Sequence, residues 1–149
     1  RFHTEDTENT ESSSEDRKCQ GGLMMLLHDA DLSERTIAAA ITVHKTLGAG
    51  LLESIYERAL AIELQALGSS VRTQVELPVH FRGQCLGIGL RLDLLVDERL
   101  IVEVKSVARL DRLHVAQVLS YLRVAGLKTA LLINFNSYRL VDGIQRISV

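Results

Sequence analysis

The sequence predicts an α/β domain, a mixed β-sheet flanked by helices, on three observations. Helical periodicity over residues 31–67 gives way to two-residue alternation and short apolar runs over 71–105. A further helical pattern, 111–124, separates the run at 100–105 from an apolar run at 129–135. A helix between two strands is a crossover, which sets those strands parallel. Short polar turns at 82–84 and 97–99 join the earlier strands, which are therefore antiparallel. The expected order is two helices, three strands, a helix, a strand and a short C-terminal strand.

Taken in order, residues 1–22 are rich in Ser, Thr, Glu and Asp, with few apolar side chains. Such a segment cannot bury enough surface to offset its ordering entropy. Residues 1–30 are therefore read as a disordered acidic tail and 31–149 as the domain. The chain does not begin with Met, while Met24 and Met25 follow, so the tail is taken as a fragment or an upstream extension. Asp31 or Ser33 is expected to cap the first helix, with Glu34 completing a capping box. Ile37, Ile41, His44 and Leu47 mark its face, and Gly48 and Gly50 interrupt it. The second helix, 51–67, is expected to bury Leu52, Ile55, Ala59, Ile62 and Ala66 before Gly68 stops it.

The first strand alternates from Val71 to Phe81, and Pro78 marks an edge or irregular position. Two apolar runs, Leu90–Val96 and Leu100–Val104, flank the turn Asp97-Glu98-Arg99 and read as a hairpin. Asp111 is placed to cap the next helix and Gly126 to end it. Thr129–Phe135 fits a strand buried on both faces. A last strand or hairpin is expected around 139–141 and 144–149.

At 149 residues the chain is one domain, 46% hydrophobic and 24% charged, which is the composition of a packed globular protein. No apolar run approaches the roughly 20 residues that span a bilayer, so no membrane association is expected. Cys19 and Cys85 give neither a metal spacing nor a disulfide framework, so a cytoplasmic setting is expected. Residues 1–31 hold three basic and eight acidic residues, and 32–149 hold fourteen and eleven, net +3. That surplus permits phosphate binding but is no dedicated basic stripe.

The chemistry lies in the hairpin. Asp93 interrupts its first run, and Glu103 and Lys105 end its second, giving D-x9-E-x-K. Isolated carboxylates in an apolar sheet are costly to bury. Two of them at adjacent strand positions form a hard oxygen site suited to Mg²⁺ or Mn²⁺, with the Val104 carbonyl as a further donor. Such a cation acidifies a water and stabilises charge on a phosphate. Lys105 shares strand parity with Glu103, so its ammonium faces the same site. The same residues also read as an ion pair on a solvated strand face. His114, Gln117 and Tyr121 share one helical face, as do Glu53 and Tyr56. Each also has a plain reading: rim residues for the first three, a surface glutamate for Glu53, a core aromatic for Tyr56.

Together these strings resemble the GxxExxY proteins, small members of the PD-(D/E)XK nuclease superfamily. Gly50-x-x-Glu53-x-x-Tyr56 is the motif that names that family, within LGAGLLESIYERAL. Gly89-x-Arg91-x-Asp93, Ile101–Lys105, His114-x-Ala116-Gln117-x-x-x-Tyr121 and Leu132–Phe135 are similar to its later motifs. The similarity runs from about Leu32 to the C-terminus. It implies a restriction-endonuclease-like three-layer core, a divalent cation and a nucleic acid substrate, with DNA expected. It further implies Asp93, Glu103 and Glu53 as metal ligands and Lys105 as the catalytic lysine. Gln117 and Tyr121 would support the site or contact DNA, and Tyr56, Arg91 and His114 would be supporting residues. The competing class is an inactive nucleic-acid- or protein-binding module on the same fold.

Overall fold

A computed structural model describes the backbone of residues 14–149 and the side chains of residues 28–149. The elements are α1 (Ser14–Leu47), α2 (Glu53–Ala66), β1 (Val71–Phe81), β2 (Gln84–Val96), β3 (Leu100–Lys105), α3 (Arg112–Ala125), β4 (Thr129–Asn134) and β5 (Ile144–Ser148). The five strands form one sheet in the order β1-β2-β3-β4-β5. β3 and β4 are parallel, and every other neighbouring pair is antiparallel. The expected mixed sheet and its crossover are both present.

The sheet separates two apolar cores, which makes three layers. On one face Leu94, Val96, Val102, Val104, Leu131 and Ile133 pack with residues of α1 and α2. On the other, Leu92, Leu95, Ile101 and Leu132 pack with Val118, Tyr121 and Leu122 of α3. β4 is buried along its whole length, as its unbroken apolar run predicts. Among the described residues no helix is long and apolar enough to cross a membrane.

Four expectations are corrected. α1 begins at Ser14, so Ser14–Ala30, assigned to the tail, lie in a helix, and residues 1–13 fall outside the described residues. Asp31 and Ser33 are not caps. Ser33 Oγ donates to the Asp29 carbonyl at 2.8 Å, a bond made one turn back within a continuing helix. α2 buries a different stripe from the one expected. Tyr56, Glu57, Leu60, Ala61 and Leu64 face the core, while Leu52, Ile55 and Ile62 are exposed. Apolar residues lie on both sides of this helix, so periodicity alone does not choose, and the seat for Tyr56 against Phe135 does. Finally, Leu140–Gly143 form a 3-10 turn in place of strand, leaving β5 alone to pair with β4.

The β1–β2 ladder carries the irregularity that builds the site. Val71 contacts the α1/α2 core, whereas Val75 and Leu77 contact the α3 core. Likewise Leu92 faces α3 while Leu94 faces α1/α2. In a regular strand, residues two apart share a face, so the pleat changes phase in both strands at the same level. Gln74 and Asp93 occupy that level, and Gln74 has φ 52°. A left-handed backbone at a residue other than glycine costs roughly 1–2 kcal/mol. The β2–β3 ladder also stops there, at Leu94–Val102.

Candidate functional site

Where β3 leaves β2, the Asp93 side chain takes over the pairing. Its Oδ2 accepts the Val104 N–H at 2.9 Å. The carboxylate is thereby fixed beside β3, next to Glu103. Lys105 Nζ lies 3.5 Å from Glu103 Oε1, both side chains on the α3 face as their parity predicts. The backbone beneath Lys105 is rigid, since β4 pairs along all of β3 and the Phe135 N–H donates to the Lys105 carbonyl at 2.8 Å.

The electrostatics are those of a site short of positive charge. Glu103 is buried, and its Oε2 has no hydrogen-bond partner. Burial first, then the charge of Asp93, push its carboxyl up to about 8, against the pull of Lys105. Asp93 is also raised by burial, with the Val104 N–H and Lys105 opposing. One ammonium does not neutralise two carboxylates in a poorly solvated cleft, so a proton or a cation must make up the difference.

Two helices wall this cleft. Gln117 Nε2 donates to Tyr121 Oη at 2.7 Å on α3. Tyr121 is buried enough for its phenol to be raised, chiefly by desolvation and then by the charges of Glu103 and Asp93. The phenol lies close to both carboxylates. From the other side, Glu53 at the start of α2 accepts the Ser106 N–H at 3.1 Å, and Ser106 Oγ donates to the Leu51 carbonyl at 2.7 Å. These bonds join the N-terminus of α2 to the end of β3, beside a depression of about 420 Å³ lined by Leu51, Leu52, Glu53, Ser54 and Ser106. The Glu53 charge reaches Asp93.

Tyr56 has a different task. It is fully buried, stacked on Phe135 with centroids 4.6 Å apart, and its hydroxyl donates to the Gly48 carbonyl and accepts the Leu51 N–H. Gly48 and Gly50, at φ 72° and 93°, let the chain fold back over that hydroxyl. The Gly-x-x-Glu-x-x-Tyr spacing thus positions Glu53 through a clamped loop. Two other candidates are used elsewhere. Arg91 is exposed and pairs with Glu76 at 3.1 Å across the ladder. His114 Nδ1 accepts the Asp111 N–H at 3.1 Å, closing the capping box of α3.

Two residues that the sequence reading did not single out belong to the cluster. Gln74 Nε2 donates to Glu57 Oε1 at 2.7 Å and lies 3.5 Å from Asp93 Oδ1. Glu57 is raised by burial, opposed by the Gln74 bond and reinforced by the charges of Asp93 and Glu53. Its place at i+4 from Glu53 was the available signal. Asn134, also missed, is buried and binds both the N–H and the carbonyl of Val107, fixing the segment after β3.

Among the described residues no group of three or more His, Cys, Asp or Glu stands ready as a ligand set. The donors brought together are the two carboxylates of Asp93 and Glu103, with Glu53 tied to Ser106. The buried, unpartnered Glu103 oxygen beside Asp93 fits a hard divalent cation.

A family model described as the PD-(D/E)XK nuclease superfamily matches residues 30–147. Searches of curated proteins and of solved structures gave no match.

Proposed function

Since the chain belongs to the PD-(D/E)XK nuclease superfamily, we propose that it is a Mg²⁺- or Mn²⁺-dependent nuclease that hydrolyses phosphodiester bonds in DNA. Within that superfamily, the Gly50–Tyr56 string supports a place among the GxxExxY proteins. The observation that carries the reading is Glu103, buried with an unpartnered oxygen next to Asp93 and Lys105. Asp93 and Glu103 would hold the cation, with Glu53 close enough to add charge. A divalent cation there would supply a Lewis acid for a phosphate oxygen and acidify the attacking water.

The remaining roles follow from the side chains. The Lys105 ammonium, 3.5 Å from Glu103 Oε1, would orient the attacking water and offset charge developing on the phosphate. Tyr121 already accepts a hydrogen bond from Gln117, so its own O–H is left to donate into the cleft. That phenol is raised further above its ordinary value by burial, so it stays protonated and able to donate. Burial and the Asp93 charge favour the protonated form of Glu103, which would have to lose its proton to ligate a cation. The exposed free thiol of Cys85 suits a reducing cytoplasm.

The test is cleavage of single- and double-stranded DNA, with RNA alongside, in Mg²⁺, Mn²⁺ and EDTA. Cleavage of DNA that needs the cation is expected, and Asp93→Ala and Lys105→Ala should each lose it by at least about 100-fold, as loss of a charge-stabilising group does. Equal residual activity in wild type and variants would mark a contaminant and sink the reading.

A further inference from the structure

Resting on the reading of Asp93 and Glu103 as a cation site, we propose that Gln74 and Glu57 form a positioning relay that aims the Asp93 carboxylate at the cation. Neither residue belongs to the D-x9-E-x-K pattern, and they come from two elements outside that hairpin turn, β1 and α2.

The relay is built from both ends of Asp93. Its Oδ2 is held by the Val104 N–H of β3 at 2.9 Å, and its Oδ1 faces the Gln74 amide of β1 at 3.5 Å. With one oxygen on each neighbouring strand, the carboxylate plane is set. Gln74 is in turn held at 2.7 Å by Glu57, a buried residue of α2. That amide is the one hydrogen-bond donor Glu57 has among the described residues. A primary amide carries two hydrogens, one for each carboxylate. It has no charge, so it does not compete with a cation for Asp93.

The backbone supports the same assignment. Gln74 sits at φ 52° where the pleat of both strands changes phase. A strained backbone persists where its surroundings over-determine it. Here the surroundings are Glu57 on one side and Asp93 on the other. Partners that orient a metal-ligating carboxylate typically change cation affinity by about 10- to 100-fold when removed.

The test uses Gln74→Leu, Glu57→Leu, their double variant and Glu57→Gln, which keeps an acceptor for the Gln74 amide. Two readouts are taken: Mn²⁺ affinity by calorimetry, and hydrogen exchange of the Val104 amide in EDTA. Gln74→Leu should weaken Mn²⁺ binding by about 10-fold or more and speed exchange at Val104, while Leu131 and Ile133 keep their protection. Glu57→Leu should do the same, the double variant should be no worse than either single, and Glu57→Gln should stay near wild type. Unchanged exchange at Val104 in Gln74→Leu, or single effects that add in the double variant, would overturn the relay. If wild type takes up no Mn²⁺, the cation reading is what fails, and exchange at Val104 still decides the relay.

Discussion

Glu103 concentrates the chemistry of the cleft in one side chain. Its folded-state carboxyl sits at about 8 against an ordinary 4.5. The native state therefore binds this proton more tightly than the unfolded chain. The sign follows from linkage: that stability is fully present below pH 4.5 and is lost as pH rises towards about 8. Urea unfolding of the metal-free protein should show stability falling between pH 5 and 8.5, and Glu103→Gln should flatten the slope. The same proton opposes cation binding, so Mn²⁺ affinity should rise over that interval, followed by calorimetry in buffers of different ionisation enthalpy. A flat affinity profile would contradict a protonated Glu103. By contrast, the surface pairs Arg72–Glu98 and Arg91–Glu76 are largely solvated, and their removal should change stability by under about 1 kcal/mol.

At the scale of elements, the helices act by where they begin. α3 starts at Asp111, whose side chain accepts from the Leu113 and His114 amides, and it ends at Gly126 in the left-handed region. Asp111→Ala should cost about 1 kcal/mol in urea unfolding, the usual loss of a cap. α2 starts behind the loop that Tyr56 clamps. Tyr56→Phe keeps the ring stack on Phe135 and removes both bonds of the hydroxyl. The expected cost is about 1–3 kcal/mol, with reduced cation-dependent activity because Glu53 loses its seat against Ser106. A variant as stable and as active as wild type would show that the clamp is idle. β3 is paired on both sides over Leu100–Val102 and thereafter with β4 alone. That one-sided release is what gives Asp93 access to the Val104 amide.

On the scale of the whole molecule, two cores press on one sheet, and the cleft opens where that sheet comes apart. α2 reaches it from one face through Glu53 and Glu57, and α3 reaches it from the other through Tyr121. A cation bound there ties layers that are otherwise joined by packing. Binding to the native state alone adds about 2.7 kcal/mol when the ligand is at 100 times its Kd. Mn²⁺ should therefore raise the Tm of wild type by several degrees, and Asp93→Ala should abolish that rise without loss of the fold. Equal shifts in both proteins, read by scanning calorimetry, would place the cation elsewhere.

The sequence by itself determined the elements, their order and the pattern of the site. Unbroken apolar runs, polar turns and the helix between β3 and β4 leave few topologies, because crossover strands are parallel and short turns are not. Asp93, Glu103 and Lys105 were legible because charges inside apolar strands demand a reason. Only the tertiary structure decided which face of α2 is buried, since Leu52, Ile55 and Ile62 satisfy helical periodicity as well as Tyr56, Leu60 and Leu64 do. It alone drew Gln74 and Glu57 to Asp93, through a phase change in the pleat that alternation does not encode. It also gave His114 to a helix cap and Arg91 to Glu76. Periodicity reports that a residue has a face. What that face meets depends on contacts between residues far apart in the chain, and the D-x9-E-x-K cleft is made of such contacts.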